Sequence, residues 1–184
     1  MLKSISGLIL KLWGWKIRGK PATDKKLMIV VMPHTSNWDF PLGLLVRWKM
    51  GLKIKFVGKS SLFKFPYGFI FRFLGGYPVE RDPKKKKGSV SDQIIDIIKK
   101  EENIWITFTP EGTRKKVKRL RTGFYAIAKT SGINIQFVAF DFPTKTVIFD
   151  TPHSPANSFD EEYAKLKEFY SPFVGKNSEL TYQF

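Results

Sequence analysis

Apolar residues follow two different periods along the chain. The run at 27–32 is short and rich in β-branched residues, which is typical of a buried strand, and it ends at Pro33. Polar residues Ser36 and Asn37 then precede a segment, 39–50, that we expect to be helical. Further strands are predicted over 53–57, 103–108, 133–140 and 145–149, and further helices from Ser89, over 122–131 and after Ser158. This alternation predicts a single α/β domain, with a mixed or largely parallel sheet flanked by helices.

Residues 1–17 predict an amphipathic helix in front of that domain. Its apolar side chains fall largely on one helical face, and Lys3, Lys11 and Lys16 remain available to phosphate head groups. The apolar set is Leu2, Ile5, Leu8, Ile9, Leu12 and Trp13. Two interpretations stay open: an anchor at a membrane interface, or a helix packed on the domain's own core. No apolar stretch reaches the ~20 residues that span a bilayer, so we expect a protein that is neither secreted nor transmembrane.

Residues 60–74 are unusually aromatic. Pro66 and Gly68 argue against one unbroken helix across this segment. Its aromatic residues are Phe63, Phe65, Tyr67, Phe69, Phe71 and Phe73. They are compatible with an acyl-chain groove, with a segment that dips into a membrane, or with ordinary core, which is the commonest explanation of an aromatic stripe.

Length and composition narrow the choice of chemistry. The chain has 184 residues, 42% of them hydrophobic, which suffices for one domain with a substantial core. The absence of cysteine excludes disulfides, thiolate metal sites and a cysteine nucleophile. With His34 and His153 as the only histidines, we expect no histidine-rich metal centre.

The formal net charge of +16 predicts attraction to a polyanion or an anionic surface. Basic residues cluster at 84–87 and 114–121. We expect Lys84–Lys87 to form an exposed loop, with lipid head-group contact as a second hypothesis. A nucleic-acid-binding module is the main alternative from another class. The aromatic residues, however, lie in apolar company rather than between the basic runs, and no nucleic-acid-binding fingerprint accompanies them.

The candidate chemistry lies at His34 and Asp39, which are separated by four residues directly after the first predicted strand. An imidazole whose tautomer is fixed by a carboxylate can take a proton from an alcohol. On a continuous helix these two side chains would diverge by roughly 140°. We therefore expect His34 in a turn and Asp39 in the first turn of the following helix. The alternative is that Asp39 only caps the helix and that His34 is an ordinary turn residue.

Two further segments combine a turn with an arginine. Gly75-Gly76-Tyr77-Pro78-Val79-Glu80-Arg81 is the first, and Pro110-Glu111-Gly112-Thr113-Arg114 is the second. Arginine presents a planar fork of donors that matches phosphate oxygens, and a threonine hydroxyl and glycine N–H groups add shorter contacts. Both segments are therefore candidate phosphate-binding loops.

Taken together and in this order, the three segments resemble the glycerolipid acyltransferase family, which includes the lysophosphatidate acyltransferases. The family pattern has four blocks, and His34–Asp39, Gly75–Arg81 and the intact Pro110–Arg114 match the first three, with Lys59 where the family commonly has a lysine. The fourth block falls at 133–138 and lacks the two expected prolines. The resemblance covers about residues 27–140.

The resemblance implies the roles of these residues. His34 would deprotonate an acceptor hydroxyl and Asp39 would orient the imidazole, with no covalent acyl-enzyme. Glu111 would order its loop by pairing with an arginine, and Arg81, Thr113 and Arg114 would hold an acceptor phosphate. The full set of expected substrate-binding residues is Lys59, Gly75, Gly76, Arg81, Glu111, Gly112, Thr113 and Arg114.

It also implies partners and a location. The expected acceptor is a lysophospholipid, either 1-acylglycerol 3-phosphate or another lysolipid such as an amino-acid lipid, and the donor is a thioester of coenzyme A or acyl carrier protein. No bound cofactor or metal is expected. Residues 1–20 would be a membrane-interface helix and 21–184 the acyltransferase domain, held at the cytoplasmic face of the cell membrane by anionic lipid.

Three other functions fit the sequence less well. A nucleotide-binding P-loop requires a glycine five positions before the glycine of Gly58-Lys59, where Lys53 stands. A serine hydrolase requires a Gly-x-Ser-x-Gly elbow, which the chain lacks. A catalytically silent lipid-binding relative would have little reason to retain His34, Asp39 and 111–114 together.

Overall fold

The computed structural model describes residues 1–82 and 88–184, which fold into a seven-stranded sheet covered by helices on both faces. The strands are β1 (Lys16–Arg18), β2 (Lys26–Met32), β3 (Ile54–Lys59), β4 (Gly76–Val79), β5 (Ile104–Phe108), β6 (Asn134–Asp141) and β7 (Thr146–Phe149). The helices are α1 (Leu2–Leu12), α2 (Asp39–Met50), α3 (Gly68–Phe73), α4 (Val90–Lys100), α5 (Gly123–Ser131) and α6 (Phe159–Tyr170), with 3-10 turns at Ser60–Phe63 and Ser178–Leu180. The predicted α/β architecture is confirmed.

The sheet is mixed and largely parallel, in the order β1-β7-β6-β2-β5-β3-β4. Strand β2 lies at its centre and pairs in parallel with β5 and β6, whereas β6 and β7 are antiparallel. Residues Leu27, Met28, Ile29 and Val30 of β2 are all buried, as expected for a strand covered on both faces. The carboxyl ends of β2 and β5 therefore lie side by side at one edge of the sheet.

The order of the strands decides which face each helix covers. The connections through α2 and α3 cross the sheet in one direction, and those through α4 and α5 cross it in the other. Because such crossovers are right-handed, α2 and α3 lie on one face and α4 and α5 on the opposite face. Leu10 of α1 packs in the same buried cluster as Leu42 and Val46 of α2, so we call this side the α1–α3 face.

The N-terminal helix is shorter than predicted. It ends at Leu12, and residues 16 and 17, expected to continue it, instead belong to the edge strand β1, which pairs in parallel with β7. Gly14, at φ +79°, supplies the change of direction, since this backbone region suits glycine. Ser6 and Leu10 are buried while Leu8 and Leu12 are exposed. The helix therefore packs on the domain and also presents apolar side chains to solvent.

The aromatic segment is interrupted, as predicted. The 3-10 turn at Ser60–Phe63 and helix α3 are separate pieces. Only Phe63 is fully buried, against Gly58 and Gly76. The core interpretation is wrong for the residues with exposed side chains, which are Phe65 (98%), Phe69 (71%), Phe73 (71%) and Tyr67 (66%).

In the described part of the chain, no helix has the length and apolar character needed to cross a bilayer. The predicted exposed loop at Lys84–Lys87 lies outside the described residues.

Candidate active site

The turn between β2 and α2 adopts the predicted arrangement. His34 follows the end of β2, and Asp39 is the first residue of α2. The helix cap is Trp38, whose side chain makes no capping bond. Instead of capping the helix, Asp39 Oδ2 accepts the Ser36 N–H at 3.0 Å, so the carboxylate turns back over the loop. The interpretation of Asp39 as a simple helix cap is therefore wrong.

His34 and Asp39 form a close pair. His34 Nδ1 lies 2.9 Å from Asp39 Oδ2, and the Asp39 side chain is only 3% exposed. The carboxylate can accept only from a protonated Nδ1, so it leaves Nε2 of the neutral imidazole with a free lone pair. Asp39 also lies in the first turn of α2, where the helix dipole stabilises a negative charge. This geometry suits a general base that acts through Nε2.

Glu111 connects the second predicted phosphate loop to the histidine turn. Its buried carboxylate accepts the His34 backbone N–H through both oxygens, at 2.9 and 3.1 Å. The arginine partner expected from the sequence is not found among the described residues, because the carboxylate instead points into the protein at the His34 backbone. Burial raises the pKa of Glu111 to about 7; the His34 N–H opposes that shift and the negative charge of Asp39 adds to it.

Glu111 should therefore make the stability of the fold depend on pH. Since its pKa is about 7 in the folded protein against an ordinary 4.5, the folded state binds more protons between these values, and the free energy of unfolding falls as pH rises through that window. Glu111→Gln does not titrate and keeps an oxygen that can accept the His34 N–H. Between pH 4.5 and 8, we expect the unfolding free energy of the wild type to fall by about 3 kcal/mol more than that of the variant.

Urea denaturation at a series of pH values measures this difference. Glu102→Gln is the matched control, because Glu102 is exposed and makes only a surface ion pair with Lys25. A constant difference between Glu111→Gln and wild type across the series would contradict the raised pKa of Glu111.

The histidine pair lines a cavity of about 540 Å³ on the α1–α3 face. Most of the cavity wall is apolar, and its lining includes Ile29, Val31, Phe40, Gly43, Leu44, Val46, Ile54, Phe56, Leu74, Val138, Phe140 and Phe149. The cationic lining residues are Arg47, Lys55, Arg81, Arg114 and Arg121. The site thus combines a base, several arginines and an apolar chamber.

Three of the eight predicted binding residues line this cavity: Arg81, Gly112 and Arg114. Arg81 comes from one loop and the other two from another, and His34, from a third loop, lines the same cavity. Lys59 lies in a neighbouring polar pocket that Arg81 also lines. Thr113 is half-buried, and its hydroxyl accepts the Lys115 N–H at 3.3 Å within the loop.

Gly75 and Gly76 lie apart from the other predicted residues. Gly75 precedes β4 and Gly76 is its first residue, so both lie at the amino end of a strand. His34, in contrast, follows the carboxyl end of β2. A Cβ on Gly75 would lie 2.7 Å from Nη1 of Arg47, the atom that donates to the Leu74 carbonyl oxygen at 2.5 Å. The position of Gly75 therefore gives it a packing role beside Arg47, a residue of the cavity wall.

Sequence reasoning missed Arg47 and Arg121 as residues of the site. Arg121 belongs to the basic run, and nothing in the spacing separates it from Lys118 or Arg119. The backbone N–H of Arg121 donates to the Pro110 carbonyl at 2.7 Å. This hydrogen bond closes the loop and brings Arg121 to the cavity. Gly112 adopts φ +64°, and a Cβ there would lie 2.5 Å from Arg121 Nε, so another residue would strain the backbone and displace the Arg121 side chain.

Across residues 1–82 and 88–184, no group of three His, Asp or Glu side chains could hold a metal ion. The His34–Asp39 pair offers proton transfer, and the arginines of the cavity wall offer anion binding.

Comparison with known proteins gives a consistent assignment. Residues 15–141, more than half of the chain, match the sequence model of the Acyltransferase family. A 1-acyl-sn-glycerol-3-phosphate acyltransferase of Haemophilus influenzae is 26% identical over 136 residues, which cover 70% of this chain and 55% of that protein. The fold is similar to the crystal structure of PlsC, the 1-acyl-sn-glycerophosphate acyltransferase of Thermotoga maritima, with a TM-score of 0.63 and 16% identity over 91% of this chain and 74% of that one. The chain belongs to the Acyltransferase family.

Proposed function

We propose that the protein transfers a fatty acyl group from an acyl thioester to the hydroxyl of a lysophospholipid, with 1-acylglycerol 3-phosphate as the acceptor and phosphatidic acid as the product. The observation that carries this proposal is the His34–Asp39 pair in the wall of a largely apolar cavity that arginines also line. The name of the Haemophilus influenzae relative supports the choice of acceptor. Because the chain spans 55% of that relative's length, the activity is a proposal for this chain.

The reaction follows from the atoms of the histidine pair. As His34 Nε2 takes the hydroxyl proton of the acceptor, the acceptor oxygen attacks the thioester carbonyl carbon. The C–S bond then breaks, and the leaving thiolate takes the proton back from Nε2, so that the products are an ester and a free thiol. Asp39 stabilises the imidazolium that exists between these proton transfers, through the 2.9 Å contact with Nδ1.

The cavity would bind the acceptor phosphate and the acyl chain. Arg81 and Arg114 would bind the acceptor phosphate together with Arg121, since guanidinium groups match phosphate oxygens in geometry and charge. An acyl chain would occupy the apolar part of the cavity. Burial of its methylene groups there contributes about 0.8 kcal/mol each.

The donor and the membrane complete the proposal. The donor is a thioester of coenzyme A or acyl carrier protein, which acts as a substrate, so no bound cofactor is required. The exposed apolar side chains of α1, including Leu8 and Leu12, would hold the protein at the cytoplasmic face of an anionic membrane. This location would bring a membrane-embedded acceptor to the cavity.

Transfer of a labelled acyl group from acyl-coenzyme A and from acyl carrier protein, to a panel of lysolipids, tests the proposal. The panel contains 1-acylglycerol 3-phosphate, its dephosphorylated counterpart, and an amino-acid lysolipid. We expect the phosphate-bearing acceptor to be preferred. Preference for the amino-acid lysolipid would identify that lipid as the acceptor. No transfer to any acceptor would reject the acyltransferase activity.

Gly43 provides a test of the acyl-binding cavity. It lies on the cavity-facing side of α2, where an added Cβ would meet Phe140 Cζ at an ordinary 3.7 Å. Gly43→Leu is therefore accommodated at Cβ, while its remaining carbons occupy cavity space. We expect transfer of long acyl chains to fall roughly tenfold, because one to two methylene groups lose their burial, and transfer of short chains to persist.

Rates with donors of increasing chain length measure this change of preference. Gly43→Ala is the matched control, because it favours the helix by about 1 kcal/mol and fills little of the cavity. An unchanged chain-length profile in Gly43→Leu would place the acyl chain elsewhere.

A further inference from the structure

The exposed large apolar side chains of the described residues are confined to a few places. One group is Met1, Leu2, Ile5, Leu8, Ile9 and Leu12, in and before α1. The other is Leu62, Phe65, Tyr67, Phe69, Ile70 and Phe73, which we call the aromatic patch. Trp38 is the one exposed large apolar residue outside both groups, and its ring contacts Trp13 at the end of α1. Within the described chain, α4, α5 and α6 carry none.

The same part of the chain is purely basic. Residues 1–23 and 40–79 contain no Asp or Glu, and they hold α1, α3 and all of α2 except its first residue, Asp39. Their basic residues are Lys3, Lys11, Lys16, Arg18, Lys20, Arg47, Lys49, Lys53, Lys55, Lys59, Lys64 and Arg72. Helix α6 shares a buried cluster with α4 and α5, so it belongs to the opposite face. Acidic residues are common on α4 and α6, as in Asp92, Asp96, Glu161 and Glu168, although both helices also carry lysines. The α1–α3 face is therefore basic, whereas the opposite face carries charges of both signs.

Helix α2 lies between the two apolar groups. It packs against α1 through the cluster that contains Leu10, and it reaches the end of α3 through Arg47, whose guanidinium donates to the Leu74 carbonyl. Phe40 and Leu44 of α2 and Leu74 also line the cavity. The apolar groups thus flank the helix that forms the cavity wall.

An anionic bilayer complements this face in both respects. Its head groups attract Lys and Arg, and the region just below them accepts aromatic and aliphatic side chains. A nucleic acid would satisfy the charges but not the exposed leucines of α1. We propose that the aromatic patch is a second membrane contact, which acts together with α1 to seat the α1–α3 face on an anionic bilayer. This inference rests on the proposed function, for which it supplies the route to a lipid acceptor.

The absence of cysteine allows a direct test by single labels. Phe69→Cys and Leu8→Cys place an environment-sensitive fluorophore on the aromatic patch and on α1, and Glu168→Cys places it at an exposed site on the opposite face. Vesicles contain phosphatidylglycerol and phosphatidylcholine in equal amounts. We expect a blue shift and higher intensity at positions 69 and 8, and no change at 168.

A label at position 69 that behaves like the one at 168, while position 8 responds, would overturn the second contact and leave α1 as the only anchor. Shielding of the label at position 69 without vesicles, together with a dimer in sedimentation, would show that a second copy covers the patch. Tighter binding to an oligonucleotide than to the vesicles would also overturn the proposal.

A double variant measures the strength of the contact. Phe65→Ser with Phe69→Ser removes two exposed aromatic rings that contribute little to the fold. Because transfer of an aromatic ring out of water favours binding, loss of two rings predicts a vesicle partition coefficient at least roughly tenfold lower, even for partial insertion. Phe65→Trp with Phe69→Trp is the matched control and should retain binding, since tryptophan suits the interface.

Acyl transfer to a water-soluble, short-chain acceptor separates this inference from the proposed function. The serine variant should retain wild-type rates in that assay, because neither ring lines the cavity. If the wild type inserts position 69 but transfers no acyl group, the membrane contact stands and the activity fails. If the protein transfers the acyl group but position 69 does not insert, the activity stands and the second membrane contact fails.

Discussion

Replacement of His34 by alanine is expected to lower kcat for acyl transfer by about 10²- to 10⁴-fold, the contribution typical of a positioned general base. The side chain is partly exposed, at 17%, and within residues 1–82 and 88–184 its one polar side-chain contact is the 2.9 Å contact with Asp39. Its removal therefore takes away the proton acceptor without opening the core. Because the arginines and the apolar wall remain, we expect KM for donor and acceptor to change little.

The second histidine supplies the control for that experiment. His153 pairs with the fully buried Glu162 at 2.9 Å and bridges to Ile135, near the amino end of β6 and away from the cavity. His153→Gln keeps a donor for Glu162 and should retain wild-type kcat. Steady-state rates together with circular dichroism spectra make the comparison. Near-normal turnover in His34→Ala would mean that His34 is not the base.

The local part of the site could be predicted from the sequence. A strand that ends at Pro33 and a helix that begins at Asp39 leave room for only a short turn, so His34 and Asp39 must lie near each other. The same local reasoning predicted the helix after Ser89, where the structure shows a capping box with Asp92. In both cases the deciding contacts join residues close in sequence, which a pattern can encode.

The long-range part of the site could not be predicted in this way. Glu111 is bonded to His34, 77 residues away, and the sequence does not distinguish that partner from an arginine. Arg121 joins the cavity because the loop folds back on Pro110. The strand β1 exists because β7 is available to pair with it, and three residues carry too short a pattern to reveal this. Packing between distant elements decided each of these outcomes.

Asp39→Asn is the second substitution from which we expect a large effect on turnover. Asn keeps the shape of the side chain and offers one oxygen to the Ser36 N–H and to His34 Nδ1, but it lacks the negative charge that stabilises an imidazolium. We expect kcat to fall by roughly 10²- to 10⁴-fold with little change in KM. Steady-state kinetics over a range of acceptor concentrations measure both quantities. A rise in KM with unchanged kcat would instead indicate a role in binding.

The same substitution should also alter Glu111, and a purely local role for Asp39 would not predict this. The negative charge of Asp39 is one cause of the raised pKa of Glu111, after burial. In Asp39→Asn that pKa should lie below its wild-type value of about 7, since the repulsion is gone. The folded state would then release its extra proton earlier, so the unfolding free energy should fall less between pH 4.5 and 8 than in the wild type. Denaturation at both pH values measures this, and an equal fall in the two proteins would show that Asp39 and Glu111 are not coupled through charge.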